Sequence, residues 1–443
     1  MKYQPPPTSE PQHNFSSTNY TTNKMNRELQ LLKSETTVFL DQPPSCLEFC
    51  PEIPDHFVVG TYLLSETKTD DGIQQTKTGS VQLWRLDPAT SSLSLVQRIA
   101  LPYAVFDLHF HPRNRDQFAI ASSTGCIALF NVSSNSVNET QTQPNIQHIW
   151  TKQVHEDPSI PALFLAWTPD NWFSNPSADG FAVTFSDSRT SVFGTVKDTT
   201  DADGFDEWGS FEAKQMIEVW YVALAALDQS SSESEKDNDV VPFMYTGNDF
   251  GSLHTRRFVG YAEKELDDDE PLAPLLLEHD DRARHHTAGV TAILQMPVPL
   301  VDDAPILLTG SYDEGLRVYH ATRRGDVLAE ESLGGGVWRL QLLNTTENQV
   351  SDSAKELHFL VLASCMHAGT RVVRVTRKQE DQASEWSIEV LVEFTEHESM
   401  NYASDMWKGP GSKTSNEPKT TSEVLCVSSS FYDRRVCVWK AKV

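Results

Sequence analysis

The sequence predicts an all-β chain folded as a seven-bladed β-propeller, and three observations carry that prediction. Short runs of β-branched and aromatic residues recur along the chain, each meeting a Gly-containing or polar turn and then a second such run. Almost no stretch shows helical periodicity. About seven of these strand–turn–strand units fit between Cys46 and the C-terminus, and a recurring unit of this kind indicates a propeller rather than a sandwich.

Taken in chain order, residues 1–28 are mostly Pro, Ser, Thr, Asn and Gln and read as a disordered tail, leaving 29–443 for the propeller. Near 36–40, the run TTVFL (Thr36 to Leu40) reads as a strand that pairs into the last blade and closes the ring, so that no long edge is left unpaired. The turn-centred copies lie at Thr78 to Leu86, Ser122 to Val132, Val183 to Val196, Thr246 to Phe258, Leu308 to His320, Leu362 to Val375 and Ser428 to Trp439. Further apolar runs stand about one hairpin arm upstream, at Val105 to Pro112, Leu163 to Asp170, Val290 to Pro297 and Val337 to Leu343. The units average about 60 residues against ~40–45 for a compact blade. The excess is polar: Ser133 to Asn145, Gln229 to Asp239, Glu263 to Glu270 and Trp407 to Glu423 read as surface loops, the middle two strongly acidic.

Composition narrows the function. With 36 Lys plus Arg against 62 Asp plus Glu, the 443 residues carry a formal charge of −26, a surface that repels phosphate backbones and anionic lipids. Neither a nucleic acid nor a membrane is therefore expected as a partner, and the protein is expected to be a monomer. The apolar stretch from Val219 to Leu227 is far short of a bilayer span, and the first residues lack the apolar core of a secretory signal. The six cysteines form no zinc-type CxxC pair. Cys126, Cys365, Cys426 and Cys437 sit in strand-like apolar runs, as small buried hydrophobes do. No metal or cofactor is expected, and the compartment reads as reducing and cytoplasmic.

His286, Ser311 and Asp313 suggest a nucleophilic triad, but their spacing also fits the His, Ser/Thr and Asp that pin a WD-repeat blade. The structural reading is favoured, because no GxSxG elbow accompanies them and Asp249 and Asp433 recur at the same turn position. Three other motifs resist that explanation. GGGVWRL (Gly334 to Leu340) joins three glycines to an aromatic and an arginine; CMH (Cys365 to His367) puts His where a blade turn prefers Asp; EHESMNYASDMW (Glu396 to Trp407) is dense in polar and aromatic residues.

Taken together, GSYDE, GGGVWR, CMHAG, HESMNYASDMW and SFYD resemble, in order, the WD-repeat diphthine methyl ester hydrolase family across the last three blades. VWYVALA followed by YTGNDFGSL is similar to the fourth blade, while Tyr319-His320 and Ala403-Ser404 depart from the family's pattern. The resemblance implies hydrolysis of the methyl ester of methylated diphthine on translation elongation factor 2, giving diphthine for amidation to diphthamide. Laid on this sequence, that reaction nominates His367 and His397 as bases, with Arg339 and the N–H groups of Gly335 and Gly336 as oxyanion donors. Trp338, Tyr402, Trp407 and Tyr432, with Asp405, would seat the substrate's trimethylammonium group. Cys365 is the next nucleophile to consider if both histidines fail. The competing expectation is a non-catalytic scaffold for protein–protein interaction, in trafficking or ubiquitin ligase assembly.

Overall fold

The computed structural model describes residues 29–69, 72–138, 141–213, 215–228, 240–260, 272–351, 354–380, 383–409 and 423–443. Their strands make seven sheets, antiparallel except for one strand added at an edge, arranged as a seven-bladed propeller. The innermost strands, from blade 1 to blade 7, are Pro44–Phe49, Val105–Phe110, Ala162–Trp167, Val219–Asp228, Val290–Gln295, Arg339–Ser351 and Asn401–Met406.

The blades hold together only through their neighbours. Successive side chains on a strand point to opposite faces, and here both faces are buried. In His56–Thr61 of blade 1, Phe57 and Val59 enter the seam with blade 7 while Val58 enters the seam with blade 2, and all three are 0% exposed. Among the described residues, an apolar cluster of this kind fills each of the seven seams. All six cysteines are free and buried in this packing, as four of them were expected to be.

Closure follows the sequence. Thr36–Phe39 pairs antiparallel with Arg435–Lys442 in blade 7, Thr36 opposite Val438 and Phe39 opposite Arg435, before the chain enters blade 1. Just upstream, Gln30–Leu32 runs parallel to the outer strand Ala383–Phe394 of blade 6, a pairing that three residues of sequence do not announce.

One insert differs from expectation. Ser133 to Asn145 is no irregular loop: Cys126–Asn138 pairs with Gln141–Gln153 far beyond the blade, Val132 opposite Ile146 and Asn138 opposite Gln141. Backbone pairing needs no apolar side chain, so a polar hairpin escapes a reading based on hydrophobic alternation. The tail 1–28, the acidic runs Gln229 to Asp239 and Glu263 to Glu270, and residues 410–422 lie outside the described residues. No helix among the described residues is long and apolar enough to cross a membrane.

The blade-five trio is structural, with one change of partner. His286 Nε2 lies 2.9 Å from Thr309 Oγ1, and its Nδ1 lies 3.2 Å from both Asp313 oxygens. Asp313 also accepts the N–H groups of Thr287 and Gly315, each at 2.9 Å. Ser311 instead donates to the Ala288 carbonyl at 2.9 Å and accepts the Asp313 N–H at 3.0 Å. Thr309→Val strands a buried imidazole nitrogen and should lower the unfolding free energy by about 1–3 kcal/mol, against ~1 kcal/mol for Ser311→Ala. Denaturant unfolding of the two variants checks the order.

Candidate functional site

In an antiparallel four-stranded blade, the turns between second and third strands and the loops between blades share one end of the ring. The site is built there, from the first residues of the inner strands. In six blades the pairing of the inner strand skips its second residue: Ser45, Phe106, Leu163, Trp220, Thr291 and Tyr402. A bulge re-aims the side chain it carries. Trp338 stands at the equivalent point of blade 6, its N–H on the Ser364 carbonyl at 2.8 Å.

The re-aimed aromatics meet over the channel. Trp220 of blade 4 and Trp338 of blade 6 lie 5.7 Å apart, centroid to centroid, although blade 5 stands between their strands. From Trp338 the ring contacts continue to Tyr402 at 5.0 Å, Phe431 at 5.5 Å, Tyr62 at 6.1 Å and Phe106 at 5.3 Å. Tyr312 completes the other end, 5.9 Å from Trp338. The result is a partly exposed aromatic collar around the mouth.

Beneath it the channel is charged. Arg339 of blade 6 reaches across to Asp107 of blade 2, Nη2 to Oδ1 3.5 Å. Its guanidinium carbon stands 4.7 Å from the ring of Phe164, 4.8 Å from Trp338 and 5.5 Å from Tyr221. Nη1 donates to the carbonyls of Trp338 at 2.9 Å and Thr291 at 3.3 Å. Asp107 also pairs with His109 Nε2 at 2.9 Å, and His109 Nδ1 lies 3.3 Å from Glu48 of blade 1. Burial opposes a charge on His109, but Asp107 and Glu48 outweigh it and raise the imidazole pKa to about 10. Burial likewise opposes the Asp107 carboxylate, and the charges of His109 and Arg339 prevail and hold its pKa below the usual range. The throat therefore holds alternating cations and anions that balance one another.

The residues nominated from sequence are placed unevenly. Trp338, Arg339 and Tyr402 come together as described. Tyr432 is 70% exposed on a blade-7 turn and meets the collar edge-on through Phe431 at 5.0 Å. His367 is exposed on the Cys365–Gly369 turn, which is tied to the start of blade 7 by the Met366 N–H on the Asn401 carbonyl and the Asn401 N–H on the Met366 carbonyl. The glycine run answers to close packing against that turn. A Cβ on Gly335 would stand 2.4 Å from the Cys365 carbonyl and one on Gly336 2.6 Å from Met366 Sδ, while Gly334 adopts φ +77°. The N–H groups of Gly335 and Gly336 donate no hydrogen bond among the described residues.

Three nominations, and the reserve, are corrected. His397 is buried inside blade 7, Nε2 at 2.8 Å from Ser428 Oγ, which also accepts the Trp439 indole N–H at 3.0 Å. It is that blade's pin, and burial lowers its pKa to about 4. Asp405 is sealed between blades, accepting the Phe49 N–H at 2.7 Å and the Gln341 amide at 2.6 Å; burial raises its pKa. Trp407 follows the far end of its strand, donates to Asp55 at 2.9 Å and packs in the seam between blades 7 and 1. Inner strands run the length of the channel, so sequence neighbours of Tyr402 need not share its end. Cys365 is 0% exposed, and burial pushes its thiol up to about 12, so little thiolate forms.

Glu48, Asp107, His109, Phe164, Trp220, Tyr221 and Tyr312 were not singled out. The signal was present in VFDLHF and CLEF, where charged residues interrupt inner-strand runs that packing alone would make apolar.

Comparison with known proteins follows this geometry. No family model matches the chain. It is 24% identical to diphthine methyltransferase of Schizosaccharomyces pombe (strain 972 / ATCC 24843), over 92% of this chain and 97% of that one. It is 20% identical to the diphthine methyltransferase homolog of Dictyostelium discoideum, over 91% and 98%. A 123-residue part, 28% of this chain and 23% of the relative, is 29% identical to human diphthine methyltransferase. Among solved structures, Saccharomyces cerevisiae Sqt1 matches with TM-score 0.52 at 10% identity, covering 94% of this chain and all 100% of that one. Chaetomium thermophilum Sqt1 bound to the N-terminus of ribosomal protein L10 gives 0.51 at 14%, covering 92% and 100%; these two show the fold alone. The resemblance to the diphthine family seen in the last blades thus extends along nearly the whole chain.

Two outcomes follow from the electrostatics. Asp107→Asn removes the charge that most strongly holds the proton on His109, so the imidazole pKa should fall from about 10, as read by NMR titration. The folded state keeps His397 neutral down to about pH 4, whereas the unfolded imidazole takes a proton near its ordinary 6.5, so acid favours unfolding between those values. The unfolding midpoint should drop across that window, and His397→Gln should remove part of the drop and leave any turnover in place.

Proposed function

We propose that the chain hydrolyses the methyl ester of methylated diphthine on elongation factor 2, releasing methanol and leaving diphthine for the amidation that completes diphthamide. One observation carries this reading: a guanidinium held by three rings and a carboxylate lies against Trp338 of a partly exposed aromatic collar. The names of the full-length relatives support a place in diphthamide biosynthesis.

In the proposed reaction, water adds to the ester carbonyl carbon and the carbonyl electron pair moves to oxygen. Arg339 faces that oxyanion with the N–H groups not spent on its two backbone carbonyls and Asp107, and Gly335 and Gly336 supply further donors. His367 takes the water proton and returns it to the departing methoxide, which leaves as methanol. The aromatic collar around Trp338 receives the trimethylammonium group. Preorganised donors in a site partly shielded from water cost no rearrangement during the reaction.

The relatives' name describes methyl transfer instead, and mass spectrometry of the modified elongation factor peptide separates the two directions. Hydrolysis removes one CH2 from the methyl-esterified peptide. Transfer adds one to the acid, and the unchanged peptide in both assays would favour the scaffold reading, against which the relatives' enzyme name weighs. On the hydrolase reading Arg339→Met should lower kcat by ~10²–10³ with the fold intact by melting. His367→Gln should lower it by ~10²–10⁴ with binding retained.

A further inference from the structure

We propose that Trp220, Tyr312 and Trp338, backed by Asp249, form a seat selective for a quaternary ammonium group. The three rings meet pairwise. Trp220 and Trp338 are 5.7 Å apart at 59°, Trp220 and Tyr312 6.3 Å apart at 89°, and Tyr312 and Trp338 5.9 Å apart at 38°. None of the three pairs is stacked face to face, and the rings meet at one corner of the collar. The corner is drawn from blades 4, 5 and 6, so it exists only in the assembled ring.

Two features make it a site for a cation rather than a packing accident. The Trp220 indole N–H donates to Asp249 Oδ1 at 2.7 Å, which fixes the indole and draws negative charge toward its π face. The Asp249 N–H in turn rests on the Glu218 backbone carbonyl at 3.0 Å, and the Asp249 carboxylate takes part in no ion pair among the described residues. Burial first, then the Asp249 carboxylate, push the Tyr312 phenol well above the ordinary value, so it stays neutral. Asp249 replaces Asp405, which is sealed elsewhere, as the acidic partner of the collar.

A quaternary ammonium has no N–H to satisfy, and its charge spreads over methyl groups that lie against rings with little loss of hydration. Trp338 carries Arg339 against its ring at 4.8 Å, which fills the throat side. A second cation is thereby directed to the corner at Trp220 and Tyr312, where Asp249 holds the indole. The inference rests on the methyl-ester reading only for the molecule that bears the cation.

The test is titration of the full chain with tetramethylammonium chloride and, in parallel, with tert-butanol, the neutral group of the same shape, followed by tryptophan fluorescence and calorimetry. Tetramethylammonium should bind at least about tenfold more tightly; Trp220→Leu and Tyr312→Leu should each weaken it about tenfold, and Asp249→Asn about threefold. Trp220→Phe keeps a ring in place should the leucine variant fail to fold. Equal binding of the two probes, or cation binding untouched by these changes, overturns the seat. A chain that binds the cation yet removes no CH2 from the esterified peptide overturns the hydrolase reading and leaves the seat standing. One that removes CH2 without preferring the cation overturns the seat alone.

Discussion

Each blade is buried by its neighbours and by nothing else, so the whole molecule depends on the ring being closed. Short as it is, Thr36–Phe39 supplies the outer strand of blade 7 and lets the last seam, with Leu47, Phe49, Val427 and Val438, fill against blade 1. Breaking that seam exposes apolar faces on both sides, because neither blade has a core of its own. Closure also sets the function-bearing end: only in a closed ring do the first residues of seven inner strands converge on one channel mouth.

The throat shows what that convergence makes possible. An arginine, an imidazolium and two carboxylates taken singly into a channel would each be costly. Here they come from blades 1, 2 and 6 and alternate in sign, so each charge is met at 2.9–3.5 Å by its opposite. The rings of Phe164, Tyr221 and Trp338 close around the arginine and hold it in one orientation. A cation fixed by partners on several blades needs no rearrangement to meet developing negative charge. The aromatic collar meets this cluster at Trp338, so in the proposed reaction cation recognition and oxyanion stabilisation share one entrance.

Much of the fold was legible because propeller strands bury both faces, giving the dense runs at His56–Thr61 or Ile306–Ser311, each ended by a turn. The closing strand was legible because a ring needs one. The site was legible where motifs carried it: Trp338 and Arg339 are sequence neighbours and were found together, and Tyr402 lies in a motif dense in aromatic residues. His397 was misread because its polar surroundings are the pin of a blade, with Ser428 and Trp439 far along the sequence. Asp405 and Trp407 were misread because they lie three and five residues beyond Tyr402, and an extended strand carries them away from the mouth. The acidic and basic partners of Arg339 were missed because Asp107 and His109 stand more than two hundred residues away, and only folding brings blade 2 opposite blade 6.

The most direct test of the account is a structure of the chain, with Arg339→Met to slow turnover, bound to methyl-esterified elongation factor 2. The account predicts the modified histidine entering the aromatic mouth, its ester over the position of residue 339 and its trimethylammonium against Trp338. A modified histidine bound at the opposite end of the channel, or along the outer strand of a blade, would contradict it.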